Sequence, residues 1–160
     1  MPVQAYLQVK DVKGPVTEKE HKDWIYIHGF SFGVSNPSSG DPSREGKLVA
    51  GGAHYGDINI TKYTDVTTPL LASLCSQGKH VPEVKIEVCE DASKVNPILS
   101  ITLTDCLISS VQTSGGGDKP MDAISVAYAK IKVQTIALDE KGGKKADADY
   151  TWDLLTKKLA

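Results

Sequence analysis

The 160-residue sequence has few cysteines, and none is arranged for metal binding or redox chemistry. Cys75, Cys89 and Cys106 form an odd set without a Cys-x-x-Cys pair. Such cysteines are typical of small buried side chains, and free thiols indicate assembly in a reducing cytoplasm. The sequence therefore predicts a core built without disulfides.

An excess of one charge and a long apolar run are also lacking. Lysine and arginine number 18 against 20 aspartates and glutamates, with no basic cluster. Nucleic-acid-binding domains carry a basic patch, so nucleic acid is not an expected partner. No stretch approaches the roughly 20 apolar residues of a membrane span, so membrane insertion is not expected. Met1 to Tyr6 shows no basic segment followed by an apolar run, so no signal peptide is expected.

Signals for catalysis and cofactors are scarce. The four histidines lack the spacing of a metal site, and the Gly-Lys pairs lack the rest of a phosphate-binding loop. We therefore expect no metal and no cofactor. One enzymatic pattern is present, a Gly-x-Ser-x-Gly centred on Ser31. In serine hydrolases that serine lies between a strand and a helix, but Val34 to Gly40 cannot form a helix. A strand that carries two glycines is the favoured interpretation.

One stretch, Asp65 to His80, predicts a helix. Thr68 is a suitable N-cap, Pro69 fits the first helical position, and Gly78 fits the left-handed residue that ends a helix. A helix this short is stable only if it buries an apolar face against other elements. Side chains at one-turn spacing supply that face, namely Leu70, Leu71, Leu74 and Cys75.

Most of the remaining sequence alternates in the manner of β-strands. The strand from Trp24 to about Ser35 has two different sides. One side is predicted to face a core and comprises Trp24, Tyr26, His28, Phe30, Phe32 and Val34. The far half of the other side has only Gly29, Ser31, Gly33 and Ser35. These four residues predict a smooth face, left against water or close to another chain.

The later strands are long and come near the end of the chain. The longest strand is predicted over Met121 to Leu138. Its inward side chains are predicted to be Ala127, Ala129, Ile131 and Val133. Asp105 interrupts the inward set of the preceding strand, which indicates a bulge before Leu107 and Val111. Many strands, polar turns and one helix predict a mainly β fold, either a small antiparallel barrel or a two-sheet sandwich. We expect one domain, residues 1–160.

A long segment without any period, Asn36 to Ala53, interrupts the strands. It is rich in proline, glycine and serine, and loops of this length are usually functional or disordered. The sequence leaves two alternatives, an arm that orders against a neighbouring chain and a flexible insertion.

Several short motifs occur together in a specific order. They are Lys10-Asp11-Val12-Lys13-Gly14, Phe30-Ser31-Phe32-Gly33-Val34-Ser35, Thr61-Lys62-Tyr63-Thr64-Asp65, Thr68-Pro69, Ser76-Gln77-Gly78-Lys79-His80 and Ile108-Ser109-Ser110-Val111-Gln112-Thr113-Ser114-Gly115-Gly116. In this order and spacing the chain resembles the haemolysin-coregulated protein (Hcp) family, the tube subunit of the bacterial type VI secretion system. The resemblance covers nearly the whole chain and departs in the segment after Asn36 and in the turn near Asp139.

The resemblance implies a fold, an assembly and a set of partners. The fold is a small antiparallel β-barrel of two sheets with one short α-helix at the side. Six copies form a ring, rings stack into a hollow tube, and small effectors travel in the lumen. A spike protein caps the tube and a contractile sheath drives it into a target cell. Such a protein is not an enzyme, assembles in the cytoplasm, and is then secreted without a signal peptide.

Two surfaces are candidates for this assembly. The tube bore must neither collapse nor bind irreversibly, so the face of Gly29, Ser31, Gly33 and Ser35 is our candidate for the lumen. The long segment can reach a neighbouring ring, so it is our candidate for ring stacking. Its candidate contact residues are Asn36, Ser38, Asp41, Arg44, Glu45 and Lys47.

Two other classes of function remain open from the sequence. A small-ligand-binding β-barrel would be a monomer with an apolar cavity. A serine hydrolase would use Ser31 as its nucleophile.

Overall fold

The computed structural model describes residues 3–39, 49–90 and 96–160, and in this part of the chain the fold is mainly β with one α-helix. The first strands are β1 (Gln4–Val9), β2 (Ile25–Ile27), β3 (Gly29–Ser31), β4 (Val34–Ser35), β5 (Ser38–Ser39), β6 (Val49–Ala50), β7 (His54–Tyr55) and β8 (Ile58–Tyr63). The helix and later strands are α1 (Thr68–Gln77), β9 (His80–Cys89), β10 (Pro97–Ser114), β11 (Met121–Leu138), β12 (Lys144–Asp153) and β13 (Lys158–Leu159). A 3₁₀ turn spans Lys19–His21.

Within the described ranges no helix is long and apolar enough to cross a bilayer. The predicted mainly β class with one short helix is confirmed.

Nine strands form one antiparallel sheet, in the order β13-β12-β11-β10-β9-β1-β2, with β8 paired to both β11 and β3. The sheet wraps around its core, but it does not close as an uninterrupted barrel. The break lies at His28, because β2 pairs with β1 whereas β3 pairs with β8. The backbone N–H of His28 donates to the carbonyl of Thr61 at 2.8 Å, which links the two halves at this point.

The core lies on the concave side of this sheet and is built from alternating apolar residues. Ile58 and Ile60 on β8 are fully buried, as are Val84 and Ile86 on β9. Side chains alternate between the two faces of a strand, so residues two apart lie on the same face. In each strand this shared face points into the core. Burial of apolar surface at roughly 25 cal/mol per Å² is the main stabilising contribution.

The strand after Trp24 changes its inward face, which the sequence did not predict. Ile25 and Ile27 face the core, whereas Tyr26 is 44% exposed. Beyond His28 the phase is reversed, and Phe30 and Phe32 pack against the core. The prediction of one continuous aromatic core face is therefore wrong. Trp24 is buried, but in a second cluster with Tyr6 and Cys89. His28 is exposed, and Val34, at the far end, is 49% exposed. A shift of one residue turns every later side chain to the other face, and His28 is that additional residue.

The side of the strand that points to the core changes a second time in β10, and it changes at the paired position of β11. Asp105 has a positive φ of 53°, as the predicted interruption requires. After it Cys106 and Ile108 are buried, rather than Leu107.

On β11 the buried side chains are Ile124, Val126 and Tyr128, followed by Ile131. Ala127 and Ala129 are only partly buried, so their predicted inward position is wrong. Thr104 pairs with Lys130 and Cys106 with Tyr128 in one register, so Asp105 and Ala129 lie opposite each other where the inward face changes.

Helix α1 begins and ends close to the predicted positions. Pro69 lies in the first turn, and Gly78 ends the helix in the left-handed conformation, with φ 61°. The N-cap is Thr67 rather than Thr68. Leu71 is fully buried, but Leu70 is 47% exposed, so the buried face is narrower than predicted.

A fully buried lysine joins the start of α1 to the sheet. Lys62 Nζ lies 2.9 Å from Asp122 Oδ2, 3.0 Å from Asp65 Oδ1 and 3.1 Å from Thr68 Oγ1. Its ammonium also donates to the carbonyl of Tyr63. A buried charge is tolerated only when it is paired and hydrogen-bonded, and these four acceptors satisfy that condition.

Asp122 is the carboxylate at the centre of this network. Burial alone would raise its pKa, but donors from Thr68, Lys62, Thr113 and Thr64 outweigh burial and hold the pKa below the ordinary value of 3.8. The ionised pair therefore ties β8, β10 and β11 to the helix.

Replacing Asp122 with asparagine should destabilise the protein by about 3 kcal/mol, because Lys62 loses its fully buried counter-ion but keeps Asp65. Since the folded-state pKa of Asp122 is lowered, its contribution is present above pH 3.8 and is lost as the pH falls through the folded-state pKa. The difference from wild type in urea unfolding should therefore narrow in acid. Asp149→Asn, which breaks an exposed pair with Lys132, is the control and should change stability far less. Equal effects of the two variants would contradict this account.

Candidate assembly surfaces

The predicted glycine–serine face lies on the outside of the subunit. Ser31, Gly33 and Ser35 are exposed and Gly29 is half-buried. A Cβ placed on Gly33 would have no heavy atom within 4 Å, so the surface there is open. The face is therefore smooth and uncharged, as a tube bore requires, while its role in assembly stays a prediction.

The segment from Asn36 to Ala53, here called the arm, continues a two-stranded ribbon that starts at the residues flanking it. Strand β4 pairs with β7 and β5 pairs with β6, so the two legs of the arm run antiparallel. Between these ladders the N–H of Gly51 donates to the carbonyl of Pro37 at 2.8 Å, and the N–H of Gly52 donates to Asn36 Oδ1 at 3.2 Å.

The candidate stacking residues divide into two groups. Asn36 and Ser38 lie on the ribbon and are exposed. Asp41, Arg44, Glu45 and Lys47 lie outside the described residues. Sequence reasoning missed the ribbon because proline, glycine and serine give no alternating pattern, and the pairing is between residues far apart in the chain.

An aromatic cluster lies where the arm leaves the body. Tyr55 on β7 stacks on Trp152 of β12 at a centroid distance of 6.1 Å and meets Tyr128 of β11 edge-on at 6.5 Å. Its hydroxyl lies 3.1 Å from that of Tyr150. Phe32, just before the arm, lies 6.4 Å from the same ring.

The hydroxyl groups of Tyr55 and Tyr128 are neutral at physiological pH. Burial raises the pKa of Tyr55, and the hydrogen bond with Tyr150 raises it further. Burial also raises the pKa of Tyr128 to about 12, with smaller contributions from Tyr150 and Asp57. Both phenols therefore act as hydrogen-bonding groups, and Tyr128 donates to the carbonyl of Gly56 at 2.9 Å.

A buried histidine holds the 3₁₀ turn against the sheet. His21 Nδ1 lies 2.6 Å from Glu18 Oε2, and its Nε2 lies 2.8 Å from Glu87 Oε2. The ring stacks on Tyr6 at 4.1 Å. Both ring nitrogens already have carboxylate partners, so this histidine is placed for structure and has no nitrogen free for a substrate or metal.

The pattern around Ser31 lacks the geometry of a hydrolase. Ser31 ends β3, and the next element is β4 rather than a helix. Among the hydrogen bonds between described residues, none joins Ser31 to a histidine. In the same part of the chain no cluster of three histidine, cysteine or acidic side chains could hold a metal ion.

Comparison with known proteins gives a consistent result. Residues 6–135 match the family model described as "Type VI secretion system effector, Hcp". The chain is 33% identical over 159 residues to protein hcp1 of Pseudomonas aeruginosa, and the match covers 96% of each chain.

Solved structures share the fold over the full length. A structure described as a type six secretion system protein has a TM-score of 0.90 at 28% identity and covers 99% of this chain and 100% of its own. The crystal structure of Hcp1 from Salmonella typhimurium has a TM-score of 0.78 at 19% identity, with complete coverage of both chains. This chain therefore belongs to the Hcp family of type VI secretion system effectors.

Proposed function

We propose that this chain is the tube subunit of a type VI secretion system. In this role six copies form a ring, rings stack into a hollow tube, and small effectors travel in the lumen. The proposal is carried by the family match over residues 6–135, together with the TM-score of 0.90 to a solved type six secretion system protein.

The role requires further partners. A spike protein caps the tube, and a contractile sheath around the tube drives it into a target cell. Rings assemble in the cytoplasm and the protein is then secreted by this machine. The continuous core from β1 to β12 supports one folding unit, residues 1–160, as the repeating element.

Two separate apolar surfaces support assembly into a ring. The first is lined by Tyr26 on β2 and Tyr63 on β8, and exposed Val66 and Leu70 follow towards the start of α1. Leu155 and Leu159, at the opposite edge of the sheet, are 80% and 71% exposed. Subunits of a cyclic ring meet head to tail, so each needs two different complementary patches.

The glycine–serine face suits the bore, and the arm suits ring-to-ring contact. Small side chains offer neither charge nor apolar bulk to a passing effector, so the wall does not retain it irreversibly. The described start of the arm is an exposed ribbon.

The two other classes of function have less support. A ligand-binding barrel needs an empty apolar interior, whereas inward side chains such as Ile58, Ile86 and Leu103 pack into one core. A serine hydrolase needs a base beside Ser31 and a helix after it. We therefore propose a structural protein that works without catalytic residues, metal or cofactor.

The mass of the purified protein in solution tests the proposal. Light scattering coupled to gel filtration should give six copies, and electron microscopy should show annular particles. A protein that stays monomeric at high concentration, without rings on the grid, would contradict the tube function.

Replacing Ser31 with arginine should leave rings intact and reduce retention of effectors, because a long charged side chain would fill the proposed bore. Ring mass and effector proteins co-purified from a secreting strain are the two measurements. Ser76→Arg, at an exposed serine of α1, is the matched control. Loss of rings in the Ser31 variant would instead place Ser31 at a subunit contact.

Deleting Ser38 to Lys47 should spare hexamers and weaken stacking, because the arm is then too short to reach the next ring. Ring mass and the yield of tubes in electron micrographs measure the two steps. Replacement of the same residues by a Gly-Ser segment of equal length separates the role of length from that of the side chains. Unchanged tubes after the deletion would rule out the arm.

A further inference from the structure

The described part of the arm is thinly paired. Among the described residues each of the two ladders has two residue pairs, and an isolated two-stranded ribbon is marginally stable in water. Ordering a segment rich in glycine and serine also costs much conformational entropy. The direction in which the arm leaves the subunit must therefore come from contacts at its base.

The ribbon faces the C-terminal hairpin across a groove. A surface groove of about 270 Å³ separates it from the C-terminal hairpin and is lined by arm residues such as Asn36 and Gly52 on one side and by Trp152 and Lys157 on the other. The aromatic cluster at the base is thus the place where the arm and the body meet in described contacts.

We propose that this aromatic anchor, formed by Phe32, Tyr55, Tyr128, Tyr150 and Trp152, positions the arm so that one ring can engage the next. The inference rests on the proposed ring-stacking function of the arm. It adds Tyr55 as a positioning residue, which acts through the arm rather than by contact with the neighbouring ring.

The contacts of the anchor join both legs of the arm to the body. Phe32 lies two residues before β4, and Tyr55 lies in β7, so each leg contributes one ring. A third attachment comes just after β7, where Gly56 accepts the hydrogen bond from Tyr128.

The body side of the anchor is rigid. Tyr128 lies on β11, and its backbone pairs with Cys106 of β10. Tyr150 and Trp152 pair with Val133 and Ile131 of β11. Strands β10 and β11, of 18 residues each, are the longest described strands, and β12 pairs with β11, so the rings that receive Tyr55 have little freedom to move.

Within the anchor, the stacked rings carry more of the positioning than the hydroxyl pair does. The ring of Tyr55 meets three other rings, whereas its hydroxyl meets one partner in a half-buried position. Tyr55→Phe and Tyr150→Phe each remove only the hydroxyl contact. Tyr55→Leu removes the aromatic stack and keeps an apolar side chain, which protects the fold.

The experiment compares Tyr55→Leu, Tyr55→Phe and wild type in the full-length protein. Hydrogen exchange at the amide of Gly51, which donates within the ribbon, reports the order of the arm. In Tyr55→Leu we expect exchange at Gly51 to be at least tenfold faster, the ring mass to be unchanged, and the concentration needed for tubes to rise at least tenfold. Tyr55→Phe should stay within about twofold of wild type in all three.

Two controls connect the effect to the arm. Tyr63→Leu changes a half-exposed tyrosine that contacts His28 and Lys119 instead of the arm, and it should leave exchange at Gly51 unchanged. Combining Tyr55→Leu with the deletion of Ser38 to Lys47 should add nothing to the stacking defect of the deletion.

If a folded Tyr55→Leu protein showed the wild-type exchange rate at Gly51, the proposed role of the anchor would be overturned. Faster exchange at Gly51 together with normal tube formation would overturn it as well. If Tyr55→Leu lost its cooperative thermal transition, Trp152→Leu would remove the stack from the body side and decide the same question. Normal tubes after the arm deletion would refute the stacking function itself. In that case exchange at Gly51 would still decide whether Tyr55 holds the arm.

Discussion

One buried ion pair holds the helix and the sheet in a fixed relation. Lys62 lies among apolar side chains with no exposure, and its charge is acceptable there only because Asp122 and Asp65 face it. Thr68, the first residue of α1, bonds both Lys62 and Asp122. Since every partner must be present to offset the loss of water, the pair specifies where the helix begins relative to β8 and β11.

The rest of the architecture follows from burying one side of a single sheet. The sheet bends twice, at His28 and beside Asp105, and at each bend the inward side chains change phase. These changes let short apolar segments in β2 and β3, and longer ones in β10 and β11, all face the same core. The outer surface is left free for assembly, with apolar side chains at two separate edges and a smooth glycine–serine face.

The proposed function places the important features on the outside of a stable core. A tube subunit needs rigid walls, two different ring contacts and a contact to the next ring. The core and the buried pair supply rigidity. The proposed aromatic anchor joins the ribbon to β11 and β12 and would give it a defined direction.

The class of fold and the location of the helix follow from local sequence patterns. Alternation in β8 and β9 predicts strands because side-chain direction has a period of two, and Pro69 and Gly78 mark the helix because their backbone preferences are local. The exposed serines after Gly29 were also predictable. So was the family, from motifs read in order.

The tertiary structure sets which side of each strand faces inward beyond His28 and Asp105, because one additional residue reverses the alternation of inward and outward side chains. It also decided that Lys62 is buried, that Tyr55 is part of an anchor, and that the arm begins as a ribbon. Each of these features pairs residues that are distant along the chain. Alternation and capping preferences are properties of neighbouring residues, so they carry no information about such partners.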